Sequence, residues 1–388
     1  MSGLLYLAWR HAVARRWRVL LVTLCVTLSL WVPWTAARLA ARYDRSLRAR
    51  AEATPLVVGA PGNRFDLTLS ALYFRENALD PITYRDFERV EEEGLALSIP
   101  LHQRYTARRK PIVATSPEYY EFRRIGCAEG RLPLRLGECA VGAAVAEELG
   151  LGPGDALHSD PTELYDIARP PALKMRVSGV LAPTGGPDDD AVFCDVRTAW
   201  ILEGIAHGHG EREDLDEELV VGEANGTVAY SGALIAFAEV TPENEASFHY
   251  HGDSEGLPLT AVICVPPDEK SRTLLKSEIN ARDLALCVSP AEVIDDLLGV
   301  VFKIKRFFDL VGGFFVATTA ALVALVFLLA TRLRAGELRT LDRLGAPRSA
   351  ARALVGVEVL AVTAMAVLLA GLASELTVRW LPNLVAAF

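Results

Sequence analysis

The chain has 388 residues, 51% of them hydrophobic, with a mean hydropathy of +0.23 and a net charge of −9. Residues 51–307 hold 24 Lys/Arg against 43 Asp/Glu, whereas residues 1–18 hold four Arg and no acid, and 332–352 hold six Arg and two acids. Such a length suits one large domain plus membrane segments, and an acidic middle excludes a nucleic-acid-binding face, which needs basic surface.

Residues 3–18 mix Trp9 and Trp17 with Arg10, Arg15, Arg16 and Arg18. That mixture ahead of an apolar run predicts a helix at the cytoplasmic interface. Val19 to Ala37 carries no charge and is long enough to cross a hydrocarbon core of roughly 30 Å. We read 1–37 as interfacial helix and retained first span; the competing reading is a signal peptide cut near the Ala-rich TAARLAA. Residues 38–50 alternate Ala/Leu with Arg at helical spacing and predict a stalk.

Residues 51–288 predict a mixed α+β domain. Helices are expected at 83–93, from Ser116-Pro117-Glu118, at 143–149, 198–205 and 268–276. Strands are expected at 95–104, 110–114, 177–181, 191–195, 233–240, 259–265 and 284–288. Residues 183–187 predict a turn, Asp188-Asp189-Asp190 a solvated continuation of it, and 207–218 a polar loop. Five of the six cysteines lie here. A Cys127–Cys139 disulfide is one reading and inert buried thiols the other. No C-x-x-C spacing supports a zinc ribbon or a thioredoxin-type site.

Ser289-Pro290-Ala291-Glu292 is a helix start, with Ser as cap, Pro at the first helical position and Glu completing a capping box. An uninterrupted helix over 290–331 would be about 60 Å long at 1.5 Å per residue. That is twice the hydrocarbon core, so 289–331 reads as stalk plus second span. Residues 332–352 form a short basic helix between spans, the strongest orientation signal in the chain, and it belongs in the cytoplasm. The third span is 353–376, with a tail over 377–388. Glu358 lies inside this span, where a carboxylate is costly and by default functional; snorkelling, or contact with Thr318 or Thr319, is the alternative.

Two His-x-His pairs stand out, His207/His209 and His249/His251. In an extended segment, positions i and i+2 share a face, so either pair could grip a metal, and zinc suits neutral imidazole. Solvated loop histidines are the competing reading.

The stretch after the second span, with Arg332, Arg334, Glu337, Leu341, Leu344, Gly345, Ala346 and Arg348, resembles the R-x-x-E-x-x-x-L-x-x-L-G-A-x-R signature of the FtsX/MacB superfamily of ABC-type permeases. Glu129-Gly130-Arg131-Leu132-Pro133, Leu149 to Asp155 and Val177 to Leu181 resemble its MacB-type periplasmic domain. HGHGE and FHYHGD look like members that accompany periplasmic zinc uptake. The family usually has four spans and three are read here. The resemblance implies a membrane protein with three transmembrane α-helices and a large α+β extracytoplasmic MacB-like domain between the first and second. It implies a bacterial inner-membrane location, with a cytoplasmic N-terminus, and a homodimer working with a separate cytoplasmic ABC ATPase. No G-x-x-x-x-G-K-[ST] occurs, so ATP belongs to that partner and the chain itself is not expected to be an enzyme. The coupling residues implied are Arg334, Glu337, Leu338, Leu341, Leu344, Gly345 and Arg348, with Arg339 and Arg343 meeting acidic rims. No cofactor is expected on the chain apart from zinc at the histidines. The outer partner would be a metal-binding protein or lipoprotein. The alternative function is a membrane-anchored periplasmic metal-binding or sensor protein with no ATPase.

Overall fold

The computed structural model describes residues 6, 10, 13–14, 16–76, 80–160, 172–208, 220–224, 227–230, 239–250, 256–282, 285–333 and 348–385. The chain divides into two compact units, residues 46–297 and residues 1–45 with 298–388.

Unit 46–297 is built on one ten-stranded sheet. Its strands are β1 (Leu56–Gly59), β2 (Leu97–Ala107), β3 (Lys110–Thr115), β4 (Cys127–Gly130), β5 (Glu138–Val141), β6 (Ala156–His158), β7 (Lys174–Leu181), β8 (Val192–Asp195), β9 (Ala261–Val265) and β10 (Leu286–Val288). The order is β10-β1-β9-β2-β3-β8-β5-β7-β4, with β6 also on β7. Pairs β3–β8 and β5–β7 are parallel and the other pairs are antiparallel. Strands β1 and β5 are buried along their whole length. In β7 every second residue is buried (Met175, Val177, Gly179, Leu181), the period-2 pattern of a strand with one face on the core.

Short helices cover the sheet, and local chemistry sets their starts. In α2 (Arg64–Tyr73) the Asn63 side chain accepts from Phe65 N. A capping box between Thr83 and Asp86 opens α3 (Tyr84–Glu92). Pro117 opens α4 (Pro117–Arg123) and Gly142 precedes α5 (Ala143–Leu149). Asp195 caps α6 (Val196–Leu202) through Arg197 N, starting it two residues before the expected position. Asp268 caps α7 (Glu269–Ala281) through Ser271 N. The expected strand at 233–240 falls largely outside the described residues.

One expectation needs correction, and one open alternative is resolved. Asp188 is not a solvated turn residue: it sits in a 3-10 turn, Pro187–Asp190, at 3% exposure, because Arg50 reaches it. Cys127 and Cys139 do not pair; all six cysteines are free. Their strands flank β7 on opposite edges, a separation of about two strand spacings, roughly 9.6 Å, beyond disulfide reach.

Three long helices carry the apolar runs: α1 (Arg16–Glu52), α8 (Pro290–Leu333) and α9 (Arg348–Val385). Each is long and apolar enough to cross a membrane, within Val19–Glu52, Asp309–Val326 and Gly356–Trp380. In unit 1–45/298–388 they pack through small and polar residues. Ser29 Oγ meets Thr319 Oγ1 at 2.8 Å, and Trp31 Nε1 donates to Thr377 Oγ1 at 3.3 Å. Arg38 Nη2 donates to Glu375 Oε2 at 2.6 Å. Ala366 and Ala370 are fully buried, while Leu310 and Leu360 are more than 70% exposed. Small residues inside and large apolar residues outside is the arrangement that suits lipid as solvent.

Candidate functional site

The two helices that begin or end in apolar spans meet the sheet at neighbouring strands. Helix α1 ends at Glu52 and β1 starts at Leu56; β10 ends at Val288 and α8 starts at Pro290. Strands β1 and β10 pair antiparallel, Val57 opposite Val288, Val58 opposite Cys287 and Gly59 opposite Leu286. Connections of one to three residues leave little slack between a stiff helix and a hydrogen-bonded strand.

Side chains lock this joint. Arg50, in the last turn of α1, forms a bidentate pair with Asp188: Nη1 lies 2.5 Å from Oδ2 and Nη2 lies 3.1 Å from Oδ1. Its Nε donates to Leu72 O and its Nη2 to Tyr119 Oη at 3.1 Å. Tyr119 in turn donates to Asp188 Oδ1 at 2.6 Å. The side chains of Arg50 and Asp188 are 12% and 3% exposed. Burial alone would raise the Asp188 carboxyl, but the hydrogen bonds and charges of Arg50, with Tyr119 and Arg123, outweigh it and hold it below the ordinary value. Burial pushes the Tyr119 hydroxyl up, against the pull of Arg50. Phe193 packs against Tyr119, Tyr120 and Phe74, at ring separations of 5.7, 6.0 and 5.8 Å.

The turn presenting Asp188 is fixed from two sides. Asp189 accepts from Thr184 N, Thr184 Oγ1 and Gly185 N at 2.7, 2.8 and 2.7 Å. Gly142 lies so close that a Cβ there would collide with the backbone of Asp188 and Asp189. On the other helix, Arg48 binds Asp295 and Arg64 Nη2 binds Asp296 at 2.9 Å. Ser289 Oγ accepts from Arg272 Nη2 at 2.8 Å and Glu292 takes Lys276 Nζ at 2.8 Å. The two side chains expected to form a capping box tie the start of α8 to α7.

The other sequence-derived sites fall as follows. Arg334, Glu337, Leu338, Leu341, Leu344 and Gly345 lie outside the described residues, and Arg348 opens α9. Glu358 is half-buried in α9, and Thr319 is engaged by Ser29. Sequence reasoning missed Glu375, at the end of the third span, which holds Arg38 and Arg379. His207 and His249 are directly opposite in a two-stranded antiparallel ribbon, Ala206–His207 with His249–Tyr250; His209 and His251 lie outside the described residues. His249 Nδ1 is 2.8 Å from Ser247 O. Among the described residues, no group of three His, Cys, Asp or Glu is placed to share a metal. Sequence reasoning also missed Arg50 and Asp188 as a pair; the only local signal was an Arg among alanines in the last turn of a predicted stalk.

The sequence matches no family model and no curated protein. Solved structures resemble part of the chain, two of them as follows. One is the periplasmic region of MacB from Actinobacillus actinomycetemcomitans, at 7% identity and a TM-score of 0.37, covering 63% of this chain and 92% of that one. Another is the extracellular domain of the noncanonic ABC-type transporter YknZ from Gram-positive bacteria, at 10% identity and a TM-score of 0.33, covering 61% and 99%. Both scores are low, so the functional reading rests on the residues of this chain.

Proposed function

We propose that the chain is a non-catalytic, permease-like subunit of an ABC-type system, in which a separate cytoplasmic ATPase moves an extracytoplasmic domain. The observation that carries this reading is the joint: α1 and α8 each run from an apolar span into neighbouring strands β1 and β10 with one to three residues between. A displacement of either helix along its axis is delivered to the sheet edge, and the buried Arg50–Asp188 pair resists slippage. The basic segment 332–352, with Leu338, Leu341 and Leu344 as its apolar stripe, would be the surface that docks the ATPase, and two copies of the chain would serve an ATPase dimer. The work would be done on an outer partner such as a metal-binding protein or lipoprotein.

Purification of the full chain from its native membrane tests this. An ATPase is expected to co-purify with wild type and to be lost in Leu341→Asp. Absence of any ATPase, or capture unchanged by Leu341→Asp, favours an anchored sensor instead. A second reading, zinc at the histidines, draws support from the register of His207 opposite His249, since cross-strand partners share a face. Zinc titration of the full chain against a variant with His207, His209, His249 and His251 changed to Ala tests it; equal binding by both would remove the site.

A further inference from the structure

The cavity beside the joint has a charge pattern that the joint does not explain. It measures about 660 Å³ and is walled by the last turns of α1, the end of α4 and the turn 184–188. Three arginines line it, Arg50, Arg123 and Arg124, with one acidic residue, Asp188. Asp188 is already engaged by Arg50 through both oxygens.

Arg123 is attracted by the same carboxylate but makes no ion pair of its own within the described residues, because Arg50 occupies both oxygens. Its Nη2 donates to Thr54 Oγ1 at 2.9 Å, and its guanidinium lies over the rings of Tyr119 and Phe122 at 5.8 and 4.8 Å. Those partners are all neutral, and its Nε is buried with no hydrogen-bond partner. Burial, followed by repulsion from Arg50, pulls its pKa down against the attraction of Tyr119 and Asp188. A buried cation in this condition is costly unless an anion joins it. Arg124, exposed at the rim, makes no ion pair within the described residues, and its backbone is held in the left-handed region at φ 56°. Residues 51–307 carry nineteen more acids than bases, so a three-arginine cavity here is not part of a generally basic surface.

We propose that this cavity binds a phosphate group, carried on an organic body that rests on Ala49, Ala53 and Phe122. Guanidinium forks bind both carboxylate and phosphate. A planar carboxylate is filled by one fork, whereas the tetrahedral oxygens of phosphate accept from guanidiniums arriving from different directions. The volume exceeds what a bare phosphate needs and falls in the range of organic ligand sites. The group could come from a soluble phosphate ester or from the headgroup of an anionic phospholipid. In either case it would bridge α1 to α4 at the joint and stiffen it. The chemistry stands with or without an ATPase.

The test uses the full chain in detergent and in lipid nanodiscs. Inorganic phosphate and glycerol 3-phosphate are titrated in detergent against chloride at matched ionic strength, with the thermal midpoint and calorimetric heat as readouts. Phosphatidylglycerol discs are compared with phosphatidylcholine discs. The variants are Arg124→Glu, which breaks no ion pair, and Arg176→Glu as a remote charge-reversal control. A saturable rise in midpoint with glycerol 3-phosphate, weakened at least tenfold in Arg124→Glu and unchanged in Arg176→Glu, supports a soluble ester. Stabilisation only by phosphatidylglycerol, lost in Arg124→Glu, supports the lipid headgroup. No effect of any phosphate source, an Arg124→Glu response equal to wild type, or equal loss in Arg176→Glu overturns the proposal. ATPase capture measured on the same variants separates this outcome from failure of the transmission reading.

Discussion

Replacing Asp188 by Asn tests whether the joint depends on a buried charge pair. The substitution keeps the size of the side chain and leaves Arg50, at 12% exposure, beside a neutral group. Removing one member of a buried ion pair costs about 3–5 kcal/mol, because the remaining charge stays desolvated. Unit 46–297 is a domain of the size in which each kcal/mol moves the midpoint by about 2–4 °C. The expected loss is therefore roughly 10 °C, measured by near-ultraviolet circular dichroism of the full chain in detergent. The informative comparison is the double variant Arg50→Met with Asp188→Leu. Removing both charges leaves no uncompensated ion, so the double variant should recover much of the loss. If Asp188→Asn stays within about 1 kcal/mol of wild type, the charge argument fails. It fails too if the double variant is no better than the single one, since packing rather than charge would then decide.

Acid should act on the same pair. The Asp188 carboxyl is held below its ordinary value by Arg50 against the effect of burial, so its stabilising contribution is complete at neutral pH. That contribution is lost as pH falls below the ordinary carboxylate value of about 3.9; the acid limb of the stability curve should flatten in Asp188→Asn. Gly142→Ala should destabilise unit 46–297 by about 1–3 kcal/mol, because the added methyl meets the backbone of Asp188 and Asp189; a melting curve identical to wild type would contradict the packing. The thiols of Cys139, Cys194 and Cys264 are fully buried, and burial, with Glu138 nearby, pushes Cys139 up to about 12. Native protein should therefore resist maleimide at these three positions and label at them only after denaturation, as mass mapping will show.

The sequence was most informative where structure is local. The apolar runs of α1, α8 and α9 read directly as candidate spans, since about twenty apolar residues need no distant partner to be recognised. Pro290 after Ser289 marked a helix start because such signals act within one turn. The approximate positions of most sheet strands were legible from alternation and β-branched content. The coupling role proposed for 332–352 rests on the resemblance those residues carry.

What the tertiary structure alone decided is long-range pairing. Asp188 reads as one of three acids in a turn, and it becomes the buried anchor only because Arg50 arrives from 138 positions away. Periodicity could not reveal that β1 and β10 are neighbours, as they lie at opposite ends of the domain and are joined by backbone hydrogen bonds that leave no trace in side-chain pattern. Cys127 and Cys139, close in sequence, were separated by the intervening β7 for the same reason. Local energetics chose the helices and strands; their assembly set where a charge is buried and which helix adjoins which strand.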